Sequence, residues 1–71
     1  MAYVSYDLSD KIEMAQFETL DEAHEYCARG VYPIHVLFKD LTFDDVDEGK
    51  LGKPVAIYIR GRRYNIEQHE E

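Results

Sequence analysis

Among the residues of this 71-residue chain whose types can ligate zinc, His24, Cys27 and His35 could be assembled into a site. His24 and Cys27 are three apart, so a helix would show both on one side, but a zinc site wants three or four converging ligands. Two ligands on one helix leave the set short. His24 reads more simply as a polar boundary position and Cys27 as a small buried apolar one. The run Asp44-Asp45-Val46-Asp47-Glu48 is acidic enough to attract calcium. It lacks the alternate-position ligands and the closing glutamate of an EF-hand loop, so a solvated acidic loop is expected. Ser5 and Ser9 sit outside any glycine elbow, and no glycine-rich phosphate loop precedes a helix. Carboxylates are too plentiful for any pair of them to be informative. These residues point to no enzyme, catalytic group, metal or cofactor.

Charge is the stronger signal. From Met1 to Glu48 twelve acids face three bases, a balance of −9. From Gly49 to Ile66 there are five bases and no acid, and three further acids close the chain, for a net charge of −7. Such blocks can neutralise each other across a small fold, or present a bipolar surface to a partner. On the second reading the acidic residues Asp21, Glu22 and Glu25, or Asp44, Asp45, Asp47 and Glu48, would meet a basic groove on another protein. Arg60, Arg62 and Arg63 would engage an acidic patch. Arg60 and Arg63 would lie opposite each other across a Gly61-Arg62 turn, and like charges so placed ask for a compensating anion. Phosphate is one source, and Tyr58 beside two arginines could stack a base. The acidic remainder repels a polyanion, which disfavours direct nucleic-acid binding.

The elements that must hold these residues can be read locally. Ala2, Val4, Tyr6 and Leu8 alternate with Tyr3, Ser5 and Asp7, the period of a half-buried strand. Ser9-Asp10 is turn chemistry, and Lys11 to Phe17 returns as a weaker strand. Thr19-Leu20-Asp21-Glu22 fits a capping box, with its acids at the end that the helix dipole favours. Leu20, Ala23 and Cys27 form a narrow apolar stripe that Tyr26 widens, Glu25 and Arg29 pair at i, i+4, and Gly30 supplies a stop. This predicts a helix of about ten residues.

Tyr32-Pro33 is a connector. Ile34 to Asp40 follows as a strand with Ile34, Val36 and Phe38 on one face and His35, Leu37 and Lys39 on the other. Leu37 on the second face suggests burial on both sides, or a contact surface. Leu41 to Pro54 reads as loop, although a turn of helix around Phe43 to Asp47 could form. Val55 to Arg60 and Arg63 to Glu67 form a hairpin, with Val55, Ile57, Ile59, Tyr64 and Ile66 expected in the core. Ala56, Tyr58, Arg60, Arg63, Asn65 and Glu67 are expected to face out. The fold class is α+β, one short helix on a small antiparallel sheet in the order β-β-α-β-β-β. Residues 1–67 make one domain and 68–71 a flexible acidic tail.

Size sets the outer bounds. A chain this short buries only about 60% of the surface that its unfolded form exposes, which argues against a deep self-contained active site. With 45% hydrophobic and 13% aromatic residues it is not a disordered sequence. No apolar run approaches the roughly 18 residues of a membrane span. No basic-then-apolar leader is present, and one cysteine cannot form an internal disulfide. A cytoplasmic protein without a membrane role is expected.

The stretch Glu18-Thr19-Leu20-Asp21-Glu22-Ala23-His24-Glu25-Tyr26 resembles the helix start of the small inhibitor that phage T7 makes against bacterial RNA polymerase. The strand–strand–helix–strand order and mixed surface charge are also similar to small anti-CRISPR proteins of phages. The resemblance covers nine residues plus element order, and no functional residue carries over from it. It implies a compact phage-encoded inhibitor that binds a large nucleic-acid enzyme, RNA polymerase or a CRISPR effector, in host takeover and without catalysis of its own. Two other roles remain open at this point: a nucleic-acid-binding hairpin, and a structural homodimer, for which Leu37 and the sheet edges are candidate contacts.

Overall fold

The computed structural model describes residues 2–66. The expected tail, 68–71, and the first and last residues of the expected domain, 1 and 67, lie outside them. Five strands form one antiparallel sheet: β1 (Tyr3–Leu8), β2 (Ile12–Phe17), β3 (Ile34–Lys39), β4 (Lys53–Ile59) and β5 (Arg62–Asn65), in the spatial order β2-β1-β3-β4-β5. Two helices interrupt them, α1 (Leu20–Ala28) between β2 and β3, and α2 (Phe43–Asp47) between β3 and β4. The class is α+β as expected, with one helix more. A complete capping box explains the addition: Thr42 Oγ1 accepts from Asp45 N at 3.1 Å, and Asp45 Oδ2 accepts from Thr42 N at 3.1 Å. Both orphaned amides are thereby satisfied in a segment that otherwise looks like loop.

α1 starts and stops where its sequence signals lie. Thr19 Oγ1 accepts from Glu22 N at 3.2 Å and donates to the Glu22 carboxylate at 2.9 Å, so Glu22 answers the cap hydroxyl rather than the cap amide. Gly30 follows at φ +66°. The helix lies on one face of the sheet, where Ala23 and Cys27 pack with Leu37, Ala56 and Tyr58 as a fully buried cluster. Tyr3, Phe17, Leu20, Tyr26 and Val55 close around it. Alanine, serine and cysteine at the contact let the helix backbone approach closely, which suits a small chain with a thin core.

In the hairpin this arrangement inverts the face expected to be buried. Side chains alternate across a sheet, and α1 covers the face carrying Ser5, Asp7, His35, Leu37, Ala56 and Tyr58, all at most 1% exposed. The more apolar face, with Tyr6, Leu8, Ile34, Val36, Ile57, Ile59 and Tyr64, has no helix of the described residues over most of its area. Ala56 and Tyr58, expected to face out, are core; Ile59 and Tyr64, expected in the core, are 47% and 49% exposed. The buried face tolerates its polar residues because they bond to one another, and among the described residues no buried side-chain nitrogen or oxygen lacks a partner.

The hairpin register is also shifted from expectation. Its turn residues are Arg60 and Gly61, at φ +51° and +82°, which is the requirement of a type I′ turn. Ile59 therefore pairs with Arg62, Tyr58 with Arg63 and Ile57 with Tyr64, so Arg60 and Arg63 do not oppose each other. The tip tucks beneath the end of α1: a Cβ on Gly61 would lie 2.8 Å from the Ala28 carbonyl oxygen.

Candidate functional site

Beneath α1 lies a polar cluster assembled from three elements. Asp7 on β1 faces His35 on β3 in direct register, with Oδ1 2.6 Å from His35 Nδ1. The same oxygen accepts from the Ser5 hydroxyl, and Oδ2 accepts from Tyr26 OH at 2.7 Å. Cys27 Sγ donates to Ser5 Oγ at 3.6 Å. His35 Nε2 accepts from the Tyr32 backbone N–H at 3.4 Å, so the ring proton sits on Nδ1 and points at Asp7. Serine, aspartate and histidine are thus together, but the geometry is not that of nucleophilic catalysis. The Ser5 hydroxyl is bonded to Asp7 instead of an imidazole, and all three residues are at most 1% exposed. A substrate has no path to them. The cluster fixes α1 on the sheet.

Its surroundings hold the side chains unreactive. Burial, the larger cause, pushes the Cys27 thiol up to about 11, against a smaller opposite pull from its bond to Ser5. Burial and then the bond to Asp7 drive Tyr26 well above the usual phenol range. His24 bonds through Nδ1 to the buried Tyr58 hydroxyl. Its imidazole is held below its ordinary value, first by burial and then by the positive charge of Arg63. His24, Cys27 and His35 thus serve hydrogen bonding and packing, and among the described residues no group of three or more His, Cys, Asp or Glu is placed to hold a metal.

The charged residues singled out from the sequence fall into separate places. Tyr58 is 1% exposed and unavailable to stack a base, which overturns that expectation: its strand face is the one α1 covers. Arg63, opposite Tyr58, lies on the α1 side, Arg62 lies on the open face and Arg60 is at the turn, so the three do not form one surface. Asp21, Glu22 and Glu25 are exposed on α1. Glu25 pairs with Arg29 at 3.1 Å. With Phe17 and Tyr26, the residues Glu22, Glu25 and Arg29 line an open hollow of about 250 Å3, below the ordinary size of a small-molecule site. Asp44, Asp45, Asp47 and Glu48 belong to α2 and its cap, where Lys50 reaches Asp45 at 3.8 Å and Glu48 at 3.1 Å.

The surface most unlike an ordinary exterior is the uncovered sheet face. One row across the strands runs Ile12, Leu8, Ile34, Ile59 and Arg62, and the next runs Met14, Tyr6, Val36, Ile57 and Tyr64. Nine of these ten are apolar or aromatic. Ile12 is 68% exposed and Met14 43%. In the third row, Val4 and Phe38 lie beside Gln16, whose Oε1 accepts from Phe43 N at 2.8 Å. That bond and the Leu41 N–H to the Ala2 carbonyl hold α2 at this end, where Val4 and Leu41 are buried. The alternating pattern carried the signal for this face, since each strand shows an apolar side and α1 can cover only one side of the sheet.

No protein-family model matches the chain, and neither a curated protein nor a solved structure matches it. Among the described residues, no helix is long and apolar enough to cross a membrane.

Proposed function

We propose that this chain is a small, non-catalytic protein-binding module that docks through its open sheet face. The observation that supports this reading is the two-row apolar surface spanning all five strands. Single exposed apolar residues are ordinary, but a contiguous patch of this kind marks an interaction site. Charged residues at its rim would set orientation and encounter rate.

For the target, the proposal keeps bacterial nucleic-acid enzymes, RNA polymerase or a CRISPR effector, as the class to test. Support for that choice is the exposed acidic set Asp21, Glu22 and Glu25 on α1, the layer opposite the open face, where it is free to meet a basic groove while the sheet is occupied. The competing hairpin-and-nucleic-acid reading has lost its stacking tyrosine and its shared arginine surface.

The test compares captures from nuclease-treated bacterial lysate by the parent chain, by Ile12→Lys with Ile59→Lys, and by Arg60→Glu with Arg63→Glu. Partners held by the parent and lost with the first pair support docking through the sheet. Retention of the same partners by the first pair, with loss by the second, would return the binding to the charged hairpin.

A further inference from the structure

We propose that the open face is closed by a second copy of this chain, the two sheets packing face to face about a two-fold axis. This rests on the open-face reading above and names its occupant. The first argument is area. Ile12, Met14, Ile59 and Tyr64 are 68%, 43%, 47% and 49% exposed, and the other five apolar residues of the two rows are partly open. Together they offer on the order of 600 Å2, the upper end for the largest apolar patch of a monomer and near the ~800 Å2 per partner of a standard interface. The rims of α2 and β5 supply the difference.

The second argument is the placement of charge around that face. Arg62 stands at the corner where β5 meets the row of Ile12, Leu8, Ile34 and Ile59, with Arg60 just beyond it at the turn. α2, with Asp44 and Asp47, stands at the diagonally opposite corner beside Gln16 of β2. Lys50 engages Asp45 and Glu48. Neither Asp44 and Asp47 nor Arg60 and Arg62 have an ion pair among the described residues. Opposite charges at opposite corners make the face self-complementary. In a two-fold dimer each contact occurs twice, i to j and j to i. An axis lying in the face at right angles to the line joining these corners sets each basic corner over the partner copy's acidic corner. Strand spacing and rise put the corners about 19 Å apart across the strands and about 14 Å apart along them. That axis therefore crosses the strands of the two copies steeply, the orthogonal class of sheet packing. Both α1 helices are left on the outside, so the assembly has four layers and three apolar cores, the two helix-side clusters and one between the sheets.

The test is sedimentation equilibrium of the full chain from micromolar to sub-millimolar concentration, with circular dichroism to confirm folding. The parent is expected to dimerise. Two charge-reversed variants, Arg60→Glu with Arg62→Glu and Asp44→Lys with Asp47→Lys, are each expected to dimerise at least about ten-fold more weakly. Mixed in equal amounts, they should associate again, because one copy then carries two acidic corners and the other two basic ones. Recovery on mixing is specific to the diagonal two-fold and cannot come from a folding defect. A parent that stays monomeric throughout overturns the second copy as occupant. The open-face reading then survives only if the parent captures a partner that Ile12→Lys with Ile59→Lys loses. A dimer unaffected by both charge reversals and by Ile12→Lys with Ile59→Lys uses another surface, the β2 or β5 edge, and also overturns the proposal.

Discussion

Asp7 and His35 are register partners on neighbouring strands, 2.6 Å apart and almost wholly shielded from water. Every bond around them has a defined direction: Ser5, Tyr26 and His35 donate to Asp7, and the Tyr32 amide donates to His35. A buried polar network of this kind is costly to break on one side because the remaining donors lose both the partner and the solvent. Asp7→Ala is expected to lower stability by about 2–4 kcal/mol, a large share of what a small domain has. Urea unfolding followed by circular dichroism measures it. A loss below about 1 kcal/mol would show that the donors find other partners.

The pH response follows from His24. Its folded-state value lies below the ordinary 6.5, owing first to burial and then to Arg63. The unfolded chain therefore takes up a proton before the folded one does, and proton uptake by the unfolded state lowers stability. His24's contribution is fully present above about pH 6.5 and declines as pH falls through that value towards the lower folded one. Thermal unfolding at pH 7.5, 6.5 and 5.5 should show this decline, and His24→Gln should flatten it. An unchanged slope in the variant would assign the effect to another group.

The turn invites a stabilising change. Arg60 holds φ +51°, a region that L side chains rarely adopt and that asparagine tolerates best among them. Arg60→Asn should stabilise the hairpin by about 0.5–1 kcal/mol. Gly61→Ala should do the reverse by more than 1 kcal/mol, since it adds a Cβ at φ +82° and within 2.8 Å of the Ala28 carbonyl oxygen. Denaturation midpoints of the two variants, measured side by side, check both signs.

Cys27 offers a readout of α1 docking. A fully buried thiol pushed up to about 11 should react with alkylating reagents at pH 8 on the order of a hundred-fold more slowly than an exposed one. Reaction should appear in step with unfolding by urea. Rapid labelling of the native chain would mean that α1 lifts from the sheet far more readily than the whole chain unfolds.

Much of this architecture was legible in local sequence. Thr19 and Gly30 bracket α1 because caps act through nearest neighbours. The alternation in β1 and β3, and the glycine near the hairpin tip, announced those elements for the same reason. What stayed hidden depends on distant partners. Alternation says that two faces differ, not which of them the helix takes. The choice fell to the Ser5–Asp7–His35 face because Tyr26, nineteen residues beyond Asp7, completes its bonding. An arginine in a left-handed turn position has no local signature, so the sequence alone places the hairpin turn one residue late. The Thr42–Asp45 box was readable but lay within a run that its acids and glycines made look like loop. As for the candidate site, its hairpin residues Ile57, Ile59 and Tyr64 carry the pattern of a core, because one chain's sequence does not record which face its described residues leave open.

The strand order also carries a kinetic consequence. β1 lies near the start of the chain yet sits inside the sheet, with β2 on one flank and β3 on the other. The β2 flank closes over a short span, from Leu8 to Ile12, whereas the β3 ladder joins Tyr3 to Lys39. During synthesis the first hairpin can therefore form early and must wait, with one long ladder of unpaired amides, until Ile34–Lys39 has emerged. That pairing closes the larger loop and is the natural rate-limiting event. A chain stalled before it would present β1 as an unfinished edge to whatever strand arrives first.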